Sequence, residues 1–212
     1  MNRHDELINE LSADLTAVKP ATNVGVLAWV WLATSTAYVI LLTHLWGPIR
    51  PNAFQQLAGE PRFFVETLLG VAAIAMTALA AFKAAVPGAL SHRLASLSAG
   101  LLGLWLASYV LGLFSPALEP SMLGKRPHCL WETLVYALPP AIVGFVLVRR
   151  LYPLRPIRTA TVVAMVSGLI PALYMQLACM YAPAHMLAFH VLPGLSVAIV
   201  GTALAWRFLR RD

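Results

Sequence analysis

The chain has 212 residues, of which 59% are hydrophobic and only 11% charged, and its formal net charge is +6. That composition excludes an ordinary soluble domain and makes a membrane protein the default reading. The positive balance does not indicate direct nucleic-acid binding, because no basic run is interleaved with aromatic residues that could stack on bases.

The chain opens with an acidic segment, and a cleavable signal peptide would open basic, so this start is expected to be retained. Within residues 4–18, HDELINELSADLTAV, the apolar residues Leu7, Ile8, Leu11, Leu15 and Val18 recur at helical spacing and fall on one face. Asp5, Glu6, Glu10 and Asp14 take the rest of the surface and favour the start of a helix through its dipole. So short a helix is marginal alone in water. Its apolar stripe is expected to meet a partner's groove, the protein's own cytoplasmic face or the bilayer surface. Surface-lying membrane helices are generally basic, which leaves a basic partner with an apolar groove as the preferred reading. Residues 1–22 form this arm, 23–206 a transmembrane domain and 207–212 a basic tail.

Six stretches are long and apolar enough to cross a bilayer, at about 23–45, 62–83, 94–113, 129–148, 159–179 and 186–206. Each must be helical, because lipid cannot satisfy open backbone groups. The fold class is therefore an all-α membrane protein with six transmembrane helices, short loops and a short N-terminal amphipathic helix. With the N-terminus inside, eleven of the fifteen Lys and Arg residues fall on the inner side, so both termini are expected in the cytoplasm. No Asp, Glu, Lys or Arg occupies the middle third of any span, which speaks against an ion-coupled transporter. Glu66 and Glu132, one turn inside the outer ends of their spans, read as helix-start acids. Pro139, Pro140, Pro171 and Pro193 interrupt the last three spans, where kinks could support two nearby packings.

The soft ligands gather on the outer side. Cys129 begins the fourth span and Cys179 ends the fifth, at matching depth. His128, Met180, His185, Met186 and His190 lie close to them in sequence. Met175 and Cys179 share one helical face by their spacing of four, as do Met186 and His190 on the next helix. Two chemistries remain open. The cysteines could oxidise to a disulfide, if their Cα atoms lie within about 7 Å. Alternatively, thiolate, thioether and imidazole could hold copper as Cu(I), or thiolate and imidazole could hold zinc. The candidate ligands are Cys129, Cys179, His185, His190, Met180 and His128.

Several segments carry a family resemblance: DELINELSADLTAV before the first span, PRFFVETLLG at 61–70, AAFKAAVPG at 80–88, HCLWETL at 128–134, RRLYPLRP at 149–156, YMQLACMYAPAHMLAFHVLPG at 174–194 and the terminal WRFLRR. As an ordered set they resemble the NrsF family, negative regulators of sigma F. These are integral membrane anti-sigma factors of bacteria that act on extracytoplasmic-function (ECF) sigma factors. The resemblance implies an inner-membrane protein and not an enzyme. It implies an arm that sequesters an ECF sigma factor, with Leu7, Leu11 and Leu15 at its apolar positions and Ile8 added to the expected sigma-binding set from the same apolar face, and a role for Cys129 and Cys179 in detecting metal or oxidant stress. Two other classes compete with it. One is a membrane metal-handling or redox protein, such as a copper transporter or a haem-binding subunit using His185 or His190. The other is a quinone-linked thiol oxidase, which normally needs two cysteine pairs where this chain has two cysteines in all.

Overall fold

The computed structural model describes residues 2–13 and 23–209. Leu15, Asp14 and Val18 of the arm lie outside the described residues. In chain order the helices are α1 (Arg3–Ala13), α2 (Val24–Trp46), α3 (Ala53–Gly59), α4 (Pro61–Ala84), α5 (His92–Gly112), α6 (Cys129–Arg149), α7 (Pro156–Ala178), α8 (Pro183–Met186) and, after a π-helical turn at Leu187–Val191, α9 (Leu192–Leu209). Among the described residues there is no strand.

Six helical segments are long and apolar enough to cross a membrane: α2, α4, α5, α6, α7 and the composite Pro183–Arg207. They coincide with the six apolar stretches to within a few residues, and local chemistry accounts for where each starts. Asn23 caps α2, its side chain accepting from the amides of Gly25 at 3.1 Å and Val26 at 3.3 Å. Ser91 accepts from Leu94 N at 3.2 Å, which starts α5 at His92 rather than at 94. Proline stands at the first turn of α4, α7 and α8, where its missing N–H costs nothing. The α8 start at Pro183 moves His185 from the expected turn onto a helix. The short α3 falls in a connection with no apolar periodicity and was not expected from the sequence.

α7 is the centre of the bundle. It is the most buried span, with α2, α4, α6 and α9 packed around it, whereas α5 is peripheral. Small residues permit the closest approach, as is usual between membrane helices. A Cβ on Gly194 would stand 2.5 Å from Gly168 O, and one on Gly168 would meet Gly194 O closer still. Both contacts are with backbone, which cannot swing aside. Gly168→Leu is therefore expected to separate α7 from α9 and to remove most folded protein, read as loss of the monodisperse peak in detergent; Gly100→Leu, where nothing lies within 4 Å, should leave it intact. A polar bridge also ties three helices together. Gln176 Oε1 accepts from Tyr109 Oη at 2.7 Å, and Gln176 Nε2 donates to Thr67 Oγ1 at 3.2 Å.

α1 is an amphipathic helix on which no described residue is buried. Leu7, Ile8 and Leu11 are 52%, 62% and 65% exposed, so the apolar stripe is not docked on the bundle.

Candidate metal centre

Three helix ends and one irregular turn converge at the cysteine end of the bundle. Cys129 is the first residue of α6, Cys179 closes α7, His185 rides on α8 and His190 sits in the π turn. One ligand atom from each lies within 4.8 Å of every other. The two sulfurs are 3.3 Å apart, and Cys179 Sγ is 3.5 Å from His185 Nε2.

The π turn accounts for the pairing of the histidines. Five residues along an α-helix rotate about 140° away from alignment. In a π turn the i and i+5 residues are instead hydrogen-bonded neighbours. Leu187–Val191 therefore brings His190 round to His185, with ring centroids 5.3 Å apart. Helical spacing had paired His190 with Met186, which is buried in the apolar core. Phe189 stacks on the His185 ring at 4.7 Å and holds its orientation.

The protons can be placed by following the hydrogen bonds. Thr133 Oγ1 donates to Cys129 O at 3.0 Å, so it accepts from His190 Nδ1 at 2.9 Å. That makes Nδ1 the protonated nitrogen and leaves a lone pair on Nε2. His190 is fully buried, and Nε2 has no hydrogen-bond partner among the described residues. A buried orphan lone pair beside two sulfurs and a second imidazole is the arrangement a metal ligand requires, with Thr133 fixing the tautomer from behind.

Two cysteines and two histidines suit tetrahedral zinc, and the same soft set suits Cu(I). Sulfur–sulfur and sulfur–nitrogen separations of 3.3 and 3.5 Å lie near those of ligands sharing one ion. The cysteines are free in this structure; a disulfide would require the sulfurs to close to about 2.05 Å. A cavity of about 300 Å³, lined by Lys125, Arg126, His128, Cys129, Trp131, His185 and Phe189 among others, gives an approach to the cluster. Two of the expected ligands stand apart. His128 is exposed on the cavity wall outside the four-residue group, and Met180 packs into the main apolar core.

A buried ion pair lies directly beneath the cluster. Arg126 Nε donates to Glu132 Oε2 at 2.6 Å, and both residues are buried. The guanidinium also donates to Pro48 O at 2.9 Å and Thr43 O at 3.2 Å, at the end of α2. Arg126 O accepts from the Cys129 thiol at 3.1 Å. Glu132 does stand in the first turn of α6, as expected, but its partner comes from a loop and the sequence held no sign of it. Glu66 pairs with Arg62, one turn away, at 3.2 Å. Arg50 is a second buried cation, over the rings of Phe63 and Tyr181 at 5.5 and 5.7 Å, and burial lowers its pKa. Glu132→Gln should cost roughly 3–5 kcal/mol by leaving the Arg126 charge buried and uncompensated, measured as a fall in thermal midpoint in detergent. Glu66→Gln, at a pair whose arginine is half-exposed, should cost less than about 1 kcal/mol.

The family model of NrsF, negative regulator of sigma F, matches residues 11–210. The chain belongs to the NrsF family. No curated protein and no solved structure matches it. The match covers all six spans and the whole four-ligand cluster of this NrsF protein. It begins at Leu11, so Leu7 and Ile8 precede the matched residues. The family description supplies a role, negative regulation of a sigma factor, and the six apolar helices fit a multi-pass membrane protein.

Proposed function

We propose that this NrsF protein is an inner-membrane anti-sigma factor that holds an ECF sigma factor with its N-terminal arm and releases it when a metal ion binds the Cys129–Cys179–His185–His190 cluster. The observation that carries the reading is the cluster itself: a four-ligand set at one end of a six-span bundle, with the arm preceding α2 at the other. The positive-inside bias puts the arm in the cytoplasm, where a sigma factor is, and the cluster outside, where a metal arrives. The exposed Leu7, Ile8 and Leu11 supply the anchors for an apolar groove, and the acids around them favour a basic partner. The arm blocks the sigma factor from polymerase, and the protein performs no reaction of its own.

Arg126 offers a route between the two ends. Cys129 loses its thiol proton when it ligates a metal, and with it the hydrogen bond to Arg126 O. Arg126 in turn grips Thr43 O and Pro48 O, and α2 runs from there across the bundle to the residues that follow the arm. A signal that swings release from 1:99 to 99:1 must prefer one state by about 5.5 kcal/mol. Metal–thiolate bonds are strong enough for this, since structural zinc sites gain about 10–16 kcal/mol.

Oxidation is the second reading, supported by the 3.3 Å between the sulfurs. Thr133→Val separates the two. It removes the partner of His190 Nδ1 and should weaken metal affinity by roughly 10–100-fold, measured by chelator competition, while leaving thiol oxidation unchanged. The proposed partner is tested by capture. Full-length protein in membranes should retain its ECF sigma factor, and a chain lacking residues 1–13 should not. Equal retention by both would defeat the reading.

A further inference from the structure

We propose that a furrow between α6 and α9 is a binding site for one anionic phospholipid of the leaflet opposite the cysteine end. The inference stands apart from the sigma-factor reading and shares with it only the membrane topology. Ala137 of α6, Ala164 of α7 and Val197 of α9 form a small buried cluster that joins the three helices, and Ala164 and Val197 also line the furrow. Between the α6 and α9 walls α7 contributes Ala160 and Ala164. The α7 residues there are small and α9 packs closely on them: a Cβ on Gly201 would lie 2.5 Å from Ala164 Cβ. The result is an apolar furrow of about 490 Å³, rimmed by the exposed Ile142, Val200 and Leu204.

The furrow does not end blind. It shares Phe145, Arg149 and Ala160 with a second recess of about 390 Å³, which Tyr152 and Pro153 also line. Among the described residues Arg149 is the one charged residue lining either space. It is exposed, and among the described residues its guanidinium has no ion-pair or hydrogen-bond partner. Among the described residues no acid lines the furrow or the recess. An acyl-chain slot leading to a recess with a free guanidinium matches a phospholipid in both shape and charge. Basic pockets between spans on the cytoplasmic side are where anionic head groups bind. The positive-inside bias places Arg149 on that side, with Arg150, Arg155 and Arg158 in the same connection. The occupied furrow would lie between the same two helices whose other ends carry Cys129 and, through the π turn, His190.

The test is native mass spectrometry of the full-length protein released from micelles containing equal phosphatidylglycerol and phosphatidylcholine of matched acyl chains. Wild-type protein should retain phosphatidylglycerol over phosphatidylcholine by about fivefold, the scale of one arginine at a lipid surface. Arg149→Gln should bring the two to parity. Val200→Trp, an apolar change at an exposed rim position, should reduce retention of both while leaving the charge in place. Equal retention of the two lipids by wild type, an unchanged preference in Arg149→Gln, or undiminished retention in Val200→Trp would overturn the proposal. So would a dimer that persists on dilution and is split by Val200→Trp, which would assign the furrow to a second copy of the chain.

Discussion

Cys129→Ser and Cys179→Ser are each expected to abolish the proposed response to metal while leaving the protein folded and inserted. Both side chains are buried, and serine is close to cysteine in size, so no large cavity opens. At position 129 a hydroxyl can still donate to Arg126 O in place of the thiol. What serine lacks is the thiolate. With a four-ligand site gaining about 10–16 kcal/mol in total, one ligand carries roughly a quarter, so affinity should fall by roughly 60- to 700-fold. A reporter driven by the sigma factor should then remain at its uninduced level in either variant when metal is added. Induction at the wild-type dose in both would remove the cluster from signalling. His190→Gln should behave as a weaker version, because it removes one nitrogen but keeps both sulfurs.

Leu7→Glu with Leu11→Glu is expected to give the opposite phenotype, a sigma factor that is free without any signal. Both side chains are exposed and make no packing contact that folding depends on. Burying a leucine in a partner's groove gains about 1.5–3 kcal/mol, so two replaced by carboxylates should weaken capture by more than a hundredfold. Asn9→Ala, on the polar side of the same helix, should bind as wild type. Reporter activity in the absence of metal reads the result. Repression by the double variant equal to wild type would mean that the sigma factor is held elsewhere.

The two variants differ in how visible their sites are in the sequence. The spans were legible because a bilayer imposes length and apolarity, and the helices agree with the apolar stretches to within a few residues. The cysteine pair followed from the same topology, since Cys129 starts one span and Cys179 ends the next, and 3.3 Å now separates their sulfurs. The full ligand set was less legible. His185 and His190 are five apart, a spacing that an α-helix splays and the π turn repairs, and no composition signal marks that turn. Met186 at the α-helical spacing proved to be core, and His128 to be cavity wall. Arg126 and Arg50 were counted simply as outer-side charges, yet both are buried. Loop charges become buried only through contacts distant in sequence: Arg126 to Thr43, 83 residues away, and Arg50 N to Ala178 O at 2.9 Å.

The central claim is that metal at the cysteine end weakens the arm's hold on a sigma factor at the other. The most direct measurement is dissociation of the labelled ECF sigma factor from full-length protein in nanodiscs, with zinc or Cu(I) added only on the face that carries Cys129 and Cys179. The account predicts that wild-type protein releases the sigma factor as the metal saturates one site, and that Cys129→Ser holds it at the same metal concentration. Saturation of the site in wild type with the sigma factor still fully bound would contradict it.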